Sequence, residues 1–172
     1  GAWMKEIAGN VDAWVRRANA GLDVLKGQDS VDAGKLAAIG YCFGGATVMQ
    51  MAYAGSDVDA VASFHGSLPP ATAEQVQAMH NAHARPRVLI AHGDADSFIP
   101  PERITAFKKA LSDAGVDWEM NIYSGARHGF TNPGAGDFGM DALAYDEKAD
   151  KRSWQKMKAF FEYCEANWQD ME

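Results

Sequence analysis

Apolar residues near the start of the chain recur at Ile7, Val11, Trp14, Ala18, Leu22 and Leu25, spaced 4, 3, 4, 4 and 3. That spacing lines one face of a helix. Gly9-Asn10 offers a break or a new cap within it, and Gly27 a stop. Polarity then drops out. Leu36-Ala37-Ala38-Ile39-Gly40-Tyr41 is a continuous apolar run of strand length, the pattern of a strand buried on both faces. Gly44-Gly45 to Ala54 reads as a helix ended by Gly55.

The rhythm then repeats. Val58 to Phe64 predicts a second strand, closed by His65-Gly66. A Pro-rich loop and a weakly patterned helix over 72–84 follow. Arg87-Val88-Leu89-Ile90-Ala91 predicts a third buried strand, closed by His92-Gly93. Glu102 to Ala114 carries Ile104, Phe107 and Leu111 on one side and stops at Gly115. Val116, Trp118, Met120 and Ile122 alternate with Asp117, Glu119 and Asn121. A period of two marks a half-exposed edge strand. A glycine-rich loop spans 125–139, and a last helix carries Trp154, Met157, Phe161, Cys164 and Trp168. Strands alternating with helices predict an α/β fold, a parallel sheet covered by helices on both faces, with 1–172 as one domain.

Composition narrows the class. The chain has 172 residues, 47% of them hydrophobic, enough for a real core. Charged residues (23%) and aromatics (10%) are present at levels that argue against disorder. Sixteen Lys and Arg against 23 Asp and Glu give a net charge of −7. An acidic surface weighs against nucleic acid and anionic lipid as main partners. No apolar run approaches the ~18 residues of a membrane helix. Two cysteines, Cys42 and Cys164, are too few for a disulfide scaffold or a Cys-rich zinc site. They point to a reducing, cytoplasmic setting.

Gly40-Tyr41-Cys42-Phe43-Gly44-Gly45 sits between a predicted strand and a helix. It fits the elbow pattern G-x-Nuc-x-G with Cys in the nucleophile's place. Such a turn is strained, by ~1–3 kcal/mol for a non-glycine residue. Glycines two before and two after make room for it. The turn lifts the sulfur onto a helix N-terminus, where the dipole favours thiolate. The Phe43 N–H then points where an oxyanion would form. The competing reading is a small buried Cys in a Gly-rich turn. Asp94 and Asp96 follow the third predicted strand. Either can hold a histidine in one tautomer, and either can merely cap a turn. His128 follows the edge strand, while His65, His92, His80 and His83 compete for its role. Nucleophile, acid and histidine in that order is the α/β-hydrolase sequence of groups. Cys164 falls on an apolar stripe and reads as core. His80-x-x-His83 has no third ligand in view, so no metal and no cofactor is expected.

These residues resemble the dienelactone hydrolase family of α/β-hydrolases. The matching pieces are Gly-Tyr-Cys-Phe-Gly-Gly at 40–45, Ser-Phe-His-Gly at 63–66, Gly-x-x-Asp-x-x-Ile-Pro at 93–100 and Ala-Arg-His-Gly-Phe at 126–130. The segment from Tyr145 to Trp154 also fits. The resemblance covers roughly residues 10–165. It implies Cys42 as nucleophile, His128 as general base and Asp96, chosen over Asp94 by its spacing, as the orienting acid. Tyr41, His65, His92, Phe98, Phe130 and Asn132 are the residues expected to line the cleft.

Two departures carry weight. The family's fold begins earlier, with further strands, a second oxyanion donor and a Glu that pairs with the resting thiol. The chain therefore corresponds to its C-terminal two-thirds. A missing N-terminal segment or a second copy is expected along the edge of strand 35–41, with Trp14, Ala18 and Leu22 packed against something. Authentic dienelactone hydrolases also hold the substrate carboxylate with an Arg four residues after the His. Here that position is Asn132, which turns the expectation toward other small esters or lactones. The rival expectation is an inactive fragment or pseudoenzyme acting as a binding or assembly module.

Overall fold

The computed structural model describes residues 2–81 and 86–167. His83 and Trp168, which figured in the sequence reading, lie outside the described residues. Helix α1 (Ala2–Ala8) is followed by α2 (Val11–Lys26). The break is chemical: the Asn10 side chain caps α2 by accepting from the Ala13 N–H at 3.0 Å. Strand β1 (Ala37–Tyr41), helix α3 (Phe43–Tyr53), β2 (Ala60–Phe64), α4 (Ala73–Asn81), β3 (Arg87–Gly93), α5 (Pro101–Asp113) and β4 (Trp118–Tyr123) then alternate. A short 3₁₀ turn (Ala135–Phe138) precedes α6 (Glu147–Ala166).

The four strands pair in parallel in the order β1-β2-β3-β4. Each crossover steps in the same direction, and crossovers are right-handed, so α3, α4 and α5 fall on one face. Val48, Met49, Met79, Phe107 and Leu111 from those helices meet Val61, Val88 and Ile90 there, with Ala18 and Leu22 of α2 at the margin. The opposite face buries Ala62, Phe64, Leu89 and Ala91 beneath Ala149, Met157, Phe160 and Cys164 of α6.

Three packing expectations are corrected. Strand β1 is not buried on both faces: Ile39 is 45% and Tyr41 41% exposed. These side chains share the α6 face of the sheet, since Ile39 pairs with Ala62 and Tyr41 with Phe64, and α6 lies over β2 and β3 instead. In α6 the buried stripe is Ala149, Ser153, Met157, Phe160 and Cys164, while Trp154 faces outward. In α2, Trp14 is buried and Leu25 is exposed. No described helix is long and apolar enough to cross a membrane.

Candidate active site

Cys42 ends β1 and caps α3 with φ 53° and ψ −114°. A φ this positive is strained for a residue with a Cβ. The turn closes because Cys42 N–H donates to Phe64 O (3.0 Å) and Ala46 N–H to Cys42 O (3.2 Å). Gly40 has no alternative, since a Cβ there would lie 1.9 Å from Gly44 O. The second obligatory glycine is Gly45, not Gly44 as the pattern implied. A Cβ at Gly45 would lie 2.6 Å from Ser63 Oγ and 2.9 Å from Gly66 Cα, whereas one at Gly44 meets nothing within 4 Å. The need comes from α3 packing against the end of β2, a neighbour distant in sequence. From the other side Trp14 of α2 braces the elbow. Its ring stacks on Phe43 at 4.6 Å and its Nε1 donates to Thr47 Oγ1 at 2.9 Å.

Asp96 and His128 reach the same point from β3 and β4. Asp94 N–H donates to Tyr123 O (3.0 Å) and Ala95 N–H to Ala126 O (2.9 Å), which ties the two loops together. Gly93 permits this, since a Cβ there would sit 2.4 Å from Ala126 O. The Asp96 carboxylate is buried. Its Oδ1 accepts from the Phe98 N–H at 3.0 Å, and its Oδ2 lies 2.8 Å from His128 Nδ1. Across the ring, His128 Nε2 lies 3.1 Å from Cys42 Sγ. Asp94 is exposed and takes no part.

The electrostatics follow from these contacts. The hydrogen bond to His128 lowers the Cys42 pKa against the opposing pull of partial burial, and the imidazole charge and the Phe43 N–H add to the lowering. For His128, burial alone would disfavour the cation. The Asp96 and Cys42 hydrogen bonds and charges outweigh it and raise the pKa to about 9. Thiolate and imidazolium thus favour one another.

A cleft of about 740 Å³ opens over the sulfur, within the range of small-molecule sites. Of the residues expected there, Tyr41, Cys42, His65, His128 and Asn132 line it. Three others are placed elsewhere. Phe130 is fully buried in the core beneath, His92 is buried within β3, and Phe98 packs edge-on against His128 at 5.1 Å from outside the cleft. Met4, Gly129, Thr131, Pro133, Ala135, Phe138, Leu143 and Asp150 complete the wall. Only the 128–133 stretch could have been guessed from proximity to His128; Met4 and Asp150 arrive from helices whose position the sequence does not reveal.

His65 is a second strained residue (φ 38°), at the end of β2. Its Nε2 lies 2.9 Å from Thr131 Oγ1 and its ring meets His128 edge-on at 5.2 Å. Burial first, then the neighbouring His128 charge, pushes its pKa down to about 4, so it is neutral. Among the described residues no group of three His, Cys, Asp or Glu side chains is placed to hold a metal ion.

A parallel sheet that carries an exposed, strained residue on a strand–helix elbow, with a carboxylate and a histidine delivered by later strands, defines an α/β-hydrolase fold. The chain belongs to the dienelactone hydrolase family, whose model matches residues 1–164. It is 37% identical to a dienelactone hydrolase-like promiscuous phosphotriesterase, P91, from metagenomic libraries. That match covers 94% of this chain and 66% of that one, with a TM-score of 0.88. A second solved structure, m3DLH, is 38% identical over 93% of this chain and 65% of its own, with a TM-score of 0.86. An uncharacterized Caenorhabditis elegans protein, K02A2.1, is 31% identical over 84% of this chain and 89% of its own length. The chain thus spans about two-thirds of the solved relatives it matches.

Proposed function

We propose that this chain carries the thiol-dependent machinery of a hydrolase acting on small carboxylic esters or lactones. The observation that carries the reading is His128 bridging Cys42 Sγ (3.1 Å) and a buried Asp96 carboxylate (2.8 Å). In this mechanism the Cys42 thiolate attacks the carbonyl carbon and the Phe43 N–H donates a hydrogen bond to the developing oxyanion. The tetrahedral adduct collapses, breaking the carbon–oxygen bond. The leaving alkoxide takes the Nε2 proton of His128, and a thioester remains on Cys42. Neutral His128, held in one tautomer by Asp96, then takes a proton from water. The hydroxide attacks the thioester, the carbon–sulfur bond breaks, the acid leaves, and the thiolate–imidazolium pair of Cys42 and His128 is restored.

A second reading is favoured by the 37% identity to the promiscuous phosphotriesterase P91. The same thiolate would attack phosphorus, displace an alkoxide or aryloxide, and leave an S-phosphorylated Cys42 whose phosphorus–sulfur bond water then cleaves. Both readings are tested together. Hydrolysis of p-nitrophenyl butyrate and of a neutral aryl phosphotriester is measured for the protein and for Cys42→Ala. The expected loss is on the order of 10⁴-fold, with an initial burst of nitrophenol matching the thiol concentration. Turnover that survives Cys42→Ala would sink both readings. No turnover of either substrate by the unaltered chain, with Cys42 still reactive to alkylation, would favour the inactive binding module.

A further inference from the structure

The cleft wall has a one-sided charge. Its lining is largely apolar or neutral: Met4, Pro133, Ala135, Phe138 and Leu143, with the hydroxyl of Thr131 and the amide of Asn132. No Lys or Arg is among the described lining residues, and Asp150 is the single carboxylate. Asp150 sits in the first turn of α6, half-buried, with Oδ2 accepting from the Tyr145 hydroxyl at 3.1 Å. A helix N-terminus would ordinarily welcome an anion. Here that turn is already occupied by carboxylates: Asp146 caps the Ala149 N–H at 2.9 Å, and Glu147 and Asp150 follow. Nearby Lys151 is exposed and already paired with Glu147. The field of Asp150 reaches the phenol of Tyr41, next to the nucleophile, where burial and then this charge raise the pKa.

We infer that the cleft selects uncharged esters and disfavours anionic ones, and that Asp150 is a specificity-determining residue for that choice. The inference rests on the hydrolase reading of the same cleft. A carboxylate brought into the cleft beside Asp150 meets like charge, and the His128 imidazolium in the lining is already paired with the Asp96 carboxylate and the Cys42 sulfur, so it does little to offset the desolvation. An uncharged acyl group meets a wall that only asks for apolar contact. Asn132 offers only an uncharged amide, held in place by the Gly134 N–H donating to its Oδ1 at 3.0 Å.

Two readouts separate this inference from the reaction on which it rests. The first is turnover of p-nitrophenyl butyrate against the mono-p-nitrophenyl ester of succinic acid, of similar length but ending in a carboxylate. The expected kcat/KM ratio favours the neutral ester about tenfold or more at low salt, and Asp150→Asn narrows it about fivefold, the scale of one screened charge. The second needs no turnover: alkylation of Cys42 by iodoacetate against iodoacetamide, both normalised to a small free thiol. Asp150→Asn should raise the iodoacetate-to-iodoacetamide ratio about fivefold at low salt, and by much less in about 0.5 M salt. In the unaltered protein added salt should move the ratio the same way. An alkylation shift without ester turnover would leave the charge selection standing and remove the hydrolase reading. Equal turnover of both esters, or a ratio indifferent to Asp150→Asn and to salt, would overturn the charge selection.

Discussion

Cys42 and Cys164 are the same side chain in two opposite settings. Cys42 is exposed at a strained elbow, and His128 lowers its pKa. Cys164 lies fully buried in the α6 core, where burial raises its pKa even though Arg87 is close enough to pull the other way. A nearby cation is therefore not what makes a reactive thiol. Access and a hydrogen-bonding partner that can itself hold a proton decide it.

That contrast can be broken by alkylation. Iodoacetamide at neutral pH should label Cys42 about 10³-fold faster than Cys164, because Cys164 reacts only when the α6 face opens. Equal rates in the folded protein would return Cys42 to the status of an inert turn residue. The pH profile sharpens the point. Because the folded pKa of Cys42 lies below its ordinary value, its thiolate persists as pH falls, and labelling should drop only below the usual thiol range. In His128→Ala the lowering is lost. The rate should then fall tenfold per pH unit below about 8.5, while the unaltered protein keeps its labelling rate to lower pH. Superimposable profiles would show that the imidazole does not control the thiol.

The elbow's backbone gives the next effect. Gly40→Ala drives a Cβ into the Gly44 carbonyl at 1.9 Å and should cost about 3 kcal/mol or more in denaturant unfolding. Gly44→Ala, with open space around its Cβ, should be neutral or stabilise by under ~1 kcal/mol. If the two variants unfold alike, the close approach at Gly40 is not what shapes the turn. The smallest effect on turnover belongs to the second cysteine. Cys164→Ala leaves a small void in the α6 core and should cost about 1–2 kcal/mol, while ester turnover stays within about twofold. A large loss of turnover would mean that the α6 core is coupled to the cleft.

Much of this site can be read from the chain because its parts are local. A strained elbow needs its glycines within a few residues, so Gly40 and Cys42 stand out without any knowledge of neighbours. Buried parallel strands need unbroken apolar runs, and the β2 and β3 runs declare themselves. The acid is different. Asp94 and Asp96 both lie one turn past β3, and a family spacing separated them in the sequence. In the folded chain the separation is physical: Asp96 turns inward to the Phe98 N–H and His128, and Asp94 turns to solvent.

The alternation of strands and helices and the chemistry of the elbow were determined by the amino-acid sequence itself, because hydrophobic period, glycine placement and helix caps act over a few residues. Only the tertiary structure decided that Gly45 is indispensable, since its constraint comes from Ser63 and Gly66 on another strand. It alone placed Phe130 in the core rather than the cleft, exposed Ile39 and Tyr41 by setting α6 over β2 and β3, and carried Met4 and Asp150 to the cleft wall. Each of these depends on how a helix lies across a sheet. That is settled by the summed packing of residues far apart in the chain, which no local pattern encodes.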